Sequence, residues 1–246
     1  MSVMSIENYV VCMKWGTKFS SQYVNRLYHM VNRNLTIPYK FICFTDDGFG
    51  IDDGIEIHAL PEMYLDPTAP ERGWRKLSLF AKNVDGLQGR ALFLDLDIVI
   101  RTNIDSFFQI DGDFLIIKDW DFPNDIIGNS SVFRFSFGKF PYVFENLVEN
   151  YSDITKRFRN EQAYLSYAIR SKGCLKYWPS DWCVSFKRYC LQPWPLCYFL
   201  APNDPLKAKI VVFHGKPNPE QAVSGWVGKY GFRYIKPTTW LKKYWY

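Results

Sequence analysis

Ala91-Leu92-Phe93-Leu94-Asp95-Leu96-Asp97-Ile98-Val99-Ile100 is an apolar run broken only by two aspartates. Aliphatic, β-branched and aromatic residues packed this densely read as a strand covered on both faces, as strands are inside a parallel sheet. Read as one strand, the run puts Asp95 and Asp97 on the same face, because side chains alternate with a period of two, and sends Leu96 into the core. Two carboxylates at that distance repel each other and are costly to desolvate, so a bound cation is their natural partner. Hard oxygen ligands suit Mg²⁺ or Mn²⁺. A solvated turn after the strand is the competing reading, and the apolar residues on both sides argue against it.

Working outward, residues 9–13 and 39–44 also have strand composition. Between them, Tyr23, Leu27, Met30 and Val31 fall at helical spacing over 20–34, behind a pair of serines that predicts a capped start. A second helix is expected over 75–83, feeding directly into the aspartate strand. Further strands are expected at 113–117, 131–135 and 209–213, and helices at 140–151 and 160–170. Strands alternating with helices in this way define an α/β fold with a mostly parallel sheet covered by helices. The stretch 173–205, rich in Cys, Pro and Trp, reads as long loops with short strands.

With 246 residues the chain suits one large domain, expected over 1–228, followed by a basic aromatic tail at 229–246. Composition excludes disordered and fibrous classes: 48% of residues are hydrophobic and 22% charged. Aromatic residues reach 18%, which suits a carbohydrate partner, since rings pack on the C–H faces of sugars, although most must fill the core. A net charge of +5 favours anionic small molecules or anionic membranes over nucleic acid. The six cysteines form no CxxC pair, and no apolar stretch is long enough to span a membrane or form a leader, so a reduced, cytoplasmic protein is expected.

The segment from Arg75-Lys76-Leu77 through Gly89–Ile100 to Asn103-Ile104-Asp105-Ser106-Phe107-Phe108 resembles the donor-site core of the retaining GT-A glycosyltransferases, the family that includes glycogenin and bacterial lipopolysaccharide galactosyltransferases. Three more motifs follow in the family's order: Asn129-Ser130-Ser131-Val132-Phe133, Glu161-Gln162, and Val211-Val212-Phe213-His214-Gly215-Lys216-Pro217. The chain departs from the pattern where Ser131 replaces Gly, where Glu161 replaces Asp, and where Lys216 follows His214 more closely.

The resemblance implies a GT-A, Rossmann-like domain that moves a hexose, with retention, from a nucleotide diphosphate sugar such as a UDP-hexose to a glycan or lipid-linked acceptor. Asp95, Asp97 and His214 would hold the metal, with Gly215 allowing close backbone approach. Ligands gather at the carboxyl ends of parallel strands, which nominates Lys14, Trp15, Gly16 and Thr17 after the first strand and Thr45, Asp46 and Asp47 after the second for base and ribose. Lys76 and Lys216 would face the diphosphate, and Leu96 completes the donor set. Asn129 and Ser130 would bond sugar hydroxyls, and Gln162 would lie on the far face of the anomeric carbon. Asp181, in Trp178-Pro179-Ser180-Asp181-Trp182, is the general base that an inverting reaction would need. A nucleotidyltransferase or a non-catalytic nucleotide-sugar or carbohydrate binder would use the same sheet. The tail interleaves Lys229, Arg233, Lys236, Lys242 and Lys243 with Trp and Tyr, which predicts either peripheral contact with the inner face of a membrane or packing on the domain.

Overall fold

The computed structural model describes residues 7–65, 73–228 and 234–246. β1 (Asn8–Lys14), β2 (Lys40–Thr45), β3 (Glu56–Ala59) and β4 (Arg90–Leu94) follow in chain order, with α1 (Ser21–Asn34) between the first two. After β4 the chain forms β5 (Ile98–Ile100), α2 (Ser106–Gln109), β6 (Phe114–Lys118), β7 (Gly128–Ser136), α3 (Pro141–Glu149), α4 (Tyr151–Arg157) and α5 (Glu161–Ser171). The remainder holds β8 (Leu175–Tyr177), β9 (Cys183–Ser185), β10 (Ile210–Val212), α6 (Pro219–Ser224), β11 (Trp226–Val227) and β12 (Tyr234–Ile235).

Seven strands form the main sheet in the order β3-β2-β1-β4-β7-β6-β8. Only β7 runs against the others, pairing antiparallel with both β4 and β6, while β1 pairs parallel with β2 and β4. Strand order reverses between β1 and β4, so a crevice opens at their carboxyl ends, where open α/β sheets bind ligands. Lys14 and Leu94 are the last residues of those two strands.

Each face of the sheet carries its own core. Val10, Cys12, Cys43, Leu92 and Leu94 pack with α1 through Leu27, Met30 and Val31. Val11, Ile42, Phe93 and Phe133 pack with Trp74, Leu77 and Phe80 and with α3 and α5. The rings are closely stacked there: Phe93 and Phe133 are 4.7 Å apart at 17°. Period-two alternation in β1 and β4 therefore feeds two layers, and both need large apolar residues.

Three expectations change. The apolar run 91–100 is not one strand: β4 stops at Leu94, and β5 belongs to a separate sheet ordered β5-β10-β9. Asp95-Leu96-Asp97 is the turn between the sheets, kept apolar because Leu96 is buried and β5 is fully covered. The segment before β4 is a 3-10 helix, Trp74–Phe80, entered through Gly73 at φ 81°, and not an α-helix over 75–83. α1 begins after Ser20, but no serine side chain caps it.

The described part of the 229–246 stretch takes the packed alternative. Ile235, Trp240, Leu241 and Trp245 are buried in the α1 core, Trp245 meets Tyr23 at 5.5 Å, and Arg26 lies 4.1 Å over the Trp245 ring. Lys229 and Arg233 lie outside the described residues. Among the described residues no helix is long and apolar enough to cross a membrane.

Candidate active site

The turn at 95–97 is held from two sides. Asp95 N–H donates to Ser131 C=O on β7 at 2.9 Å, and Asp97 C=O accepts from Phe213 N–H at 3.0 Å at the end of β10. One aspartate is thus tied to each sheet, and His214 is delivered beside them. Asp95, Leu96, Asp97, His214 and Gly215 line a cleft of about 410 Å³ with Trp15, Lys18, Lys76 and Glu161. Strand alternation does not bring the carboxylates together here; the turn does.

Lys76 is the resident cation. Its Nζ lies 2.7 Å from Asp95 Oδ1 and 2.9 Å from Oδ2, 3.9 Å from Glu161 Oε1, and 3.5 Å from both Ser130 C=O and Ser130 Oγ. Burial opposes the lysine charge, but Asp95 and Glu161 outweigh it and hold its pKa above the ordinary value. Glu161 sits at the start of α5, whose N-cap Asn160 accepts from Ala163 N–H, and it takes a 2.6 Å hydrogen bond from Ser130 Oγ. Burial raises the Glu161 pKa despite Lys76 and Ser130. A Cβ at Gly73 would lie 2.8 Å from the Glu161 carboxyl carbon, so only glycine lets that loop close over the acid.

Asp97 is the least compensated member. Burial, followed by repulsion from Asp95, pushes its pKa up to about 7, and the charges of Lys18 and Lys76 offset this only in part. A hard divalent cation fits the aspartate pair for that reason: Asp95 shares one ammonium, and Asp97 has no ion pair among the described residues. His214 is less ready. Its Nε2 lies 2.7 Å from Ser185 Oγ on β9, and its ring stacks on Trp120 at 5.9 Å and 15°. Burial, then Lys187, lowers its pKa, which favours the neutral imidazole that a metal requires. Among the described residues no three acidic, His or Cys side chains converge tightly enough to form a metal site unaided.

His214 also lines two neighbouring clefts. One, of about 370 Å³, contains Asn129 and Gln162 with Asp119, Trp120 and Asp121. Gln162 Nε2 donates to Asp119 Oδ2 at 2.9 Å, and Ser130 N–H reaches Gln162 Oε1 at 3.4 Å, so the amide is oriented by both neighbours. The other, of about 580 Å³, contains Lys216 with Lys187, Arg188 and Lys236.

Trp15, Lys76, Asp95, Leu96, Asp97, His214 and Gly215 therefore meet in one cleft, while Asn129, Gln162 and Lys216 border the adjoining ones. Ser130 is buried beneath Lys76. Lys14, Gly16, Thr45 and Asp46 line none of the three clefts and are bonded to one another's loops: Lys14 Nζ donates to Asp47 C=O at 3.0 Å, Gly16 N–H donates to Asp46 Oδ2 at 2.9 Å, and Thr45 Oγ1 donates to Asp47 C=O at 2.9 Å. Thr17 is exposed beside them, and Asp181 is exposed and borders none of the three clefts. The sequence reading missed Asp119, Trp120 and Asp121. Their signal was present: Phe114–Lys118 is another apolar strand ending in Asp-x-Asp.

A mostly parallel α/β sheet with a crevice at its switch point, reached by the Asp95–Asp97 turn and by His214, is a fold shared with solved glycosyltransferases. No protein-family profile and no curated protein matches the chain. Solved structures do. Galactosyltransferase LgtC in complex with donor and acceptor sugar analogs is 15% identical over 86% of this chain and 88% of that one, with a TM-score of 0.57. The bifunctional glycosyltransferase WbbM is 11% identical over 89% and 48%, at 0.57. Glycosyltransferase GlyE of Streptococcus pneumoniae TIGR4 is 13% identical over 87% and 56%, at 0.54.

Proposed function

We propose that the chain is a glycosyltransferase that moves a hexose from a nucleotide diphosphate sugar, a UDP-hexose, to a glycan or glycolipid acceptor with retention, using Mn²⁺ or Mg²⁺. The observation that carries this reading is the Asp95 and Asp97 pair at the switch point, lining with Lys76 and His214 a cleft of about 410 Å³. The fold likeness to glycosyltransferases supports it.

Asp95 and Asp97 would hold the metal, with His214 closing the set; when bound, it neutralises charge on the leaving diphosphate. Trp15 offers a ring to the base, while Lys18 and Lys76 add positive charge beside the phosphates. Gln162, fixed by Asp119, faces the hexose from the cleft shared with Asn129. An amide is a weak nucleophile, so the reading uses same-face attack. The bond from the anomeric carbon to the phosphate oxygen breaks with its electron pair leaving on the phosphate. The acceptor oxygen bonds to that carbon, and its proton passes to the phosphate oxygen.

The test is release of UDP from UDP-glucose and UDP-galactose with Mn²⁺ and with EDTA, followed by proton NMR of the first product. Release that EDTA stops, and an α-linked product from an α-linked donor, are expected. Conversion of UDP-glucose and added pyrophosphate to UTP and glucose 1-phosphate, in place of UDP release, would identify a nucleotidyltransferase, and a β-linked product would place the enzyme in the inverting class.

A further inference from the structure

The cleft of about 580 Å³ on the other side of His214 has the opposite electrostatic character to the aspartate cleft. Lys187, Arg188, Lys216 and Lys236 line it, and Asp121 is its one carboxylate. That carboxylate is already neutralised, since Arg188 donates both Nε, at 2.7 Å, and Nη2, at 2.6 Å, to Asp121 Oδ1. The cations are also positioned. Lys236 Nζ donates to Phe199 C=O at 3.0 Å, which holds the ammonium at the rim, and Lys187 Nζ lies 3.2 Å from where a Cβ of Gly215 would stand.

A concave site lined by one sign of charge concentrates ligands of the other. With Arg188 committed to Asp121, Lys187, Lys216 and Lys236 match a dianion with several acceptor oxygens, which describes a phosphate group better than a carboxylate. Trp194, with its side chain 72% exposed on the same wall, offers the flat face on which a sugar ring packs. The aspartate cleft recruits a cation and this one an anion, so the two are built for different ligand groups. They meet at His214.

We propose that this basic cleft is the acceptor subsite and that it anchors a phosphate carried by the acceptor, so that the sugar is transferred to a phosphate-bearing saccharide. The inference rests on the glycosyltransferase reading for the word acceptor, but the phosphate site itself is testable without it.

The experiment is calorimetric titration of the full chain, in EDTA, with glucose 1-phosphate and with glucose. It is repeated on Lys236→Gln, on Lys216→Gln, and on Lys18→Gln, whose cation belongs to the aspartate cleft. Glucose 1-phosphate should bind at least about tenfold more tightly than glucose, and each of the first two variants should weaken it about tenfold, the scale of one charged hydrogen bond. Lys18→Gln should bind it as the unaltered chain does. Equal binding of the two sugars overturns the proposal. So does loss of phosphate binding in Lys18→Gln with Lys236→Gln and Lys216→Gln unaffected, which would move the anion to the aspartate cleft. UDP release, measured in parallel, separates the two ideas: release without phosphate binding overturns this inference alone, and phosphate binding without release overturns the donor reading alone.

Discussion

Replacing Asp97 with Asn removes one of two neighbouring carboxylates while keeping the shape of the side chain. Burial and Asp95 lift the Asp97 pKa from 3.8 to about 7 in the folded chain. The unfolded chain loses this proton near the lower value and the folded chain only near the higher one. Between them the folded state holds the extra proton, so stability falls as pH rises through that window, and above pH 7 the full cost is present. Three pKa units at 1.36 kcal/mol each make that cost about 4 kcal/mol at pH 8, shrinking to about 1.5 kcal/mol at pH 5. Asp97 is partly open to the cleft, and solvent screening of about half leaves a gain of about 2 kcal/mol for Asp97→Asn at pH 8 and under about 1 kcal/mol at pH 5. Urea unfolding in EDTA at the two pH values measures it. The variant should also lose transfer activity and any stabilisation by Mn²⁺, since an ion that binds only the native state shifts the midpoint. A variant no more stable than the parent at pH 8, or one equally stabilised at both pH values, would refute the account of this site.

Lys76→Met leaves Asp95 and Glu161 without their shared ammonium and should cost about 3–5 kcal/mol at pH 7.5, with partial recovery at lower pH as the raised Glu161 and Asp97 protonate. Denaturant midpoints against pH check this; a pH-independent loss would point to packing instead. Trp245→Ala removes a buried ring from between Tyr23 and Arg26 and should cost about 3–5 kcal/mol, seen as a lower Tm with UDP-hexose turnover kept at low temperature.

Much of the sheet was legible because its strands carry local signals. Residues 9–13, 39–44 and 113–117 are dense in β-branched and aromatic side chains, and each matches an observed strand to within one residue at its start. The split at Asp95 was not legible, because β4 and β5 are both fully buried and a change of sheet leaves no mark on hydrophobicity. The aspartate pair and His214 could be named from spacing, whereas the bond from His214 to Ser185 depends on β9 pairing with β10 across the irregular region. Glu161 was visible only as a departure from a motif. Its burial against Lys76 is tertiary, made by α5 closing over the 3-10 helix. The basic cleft has the same origin: Lys187 and Lys236 are far apart in sequence and share a cleft only when 186–202 folds against Trp226 and 234–236.

The packing of Trp245 onto α1 bears on the order in which the chain matures during translation. α1 and the first four strands leave the ribosome early, yet the apolar face of α1 is closed by side chains made more than two hundred residues later. The nascent half-sheet must wait with Tyr23 uncovered while the irregular region is synthesised, a delay that exposes apolar surface to aggregation and to chaperones. Six parallel-running strands in the main sheet lengthen that interval, since each parallel pairing needs its crossover first. The segment that seals α1 thus sets the moment at which the domain becomes safe from self-association.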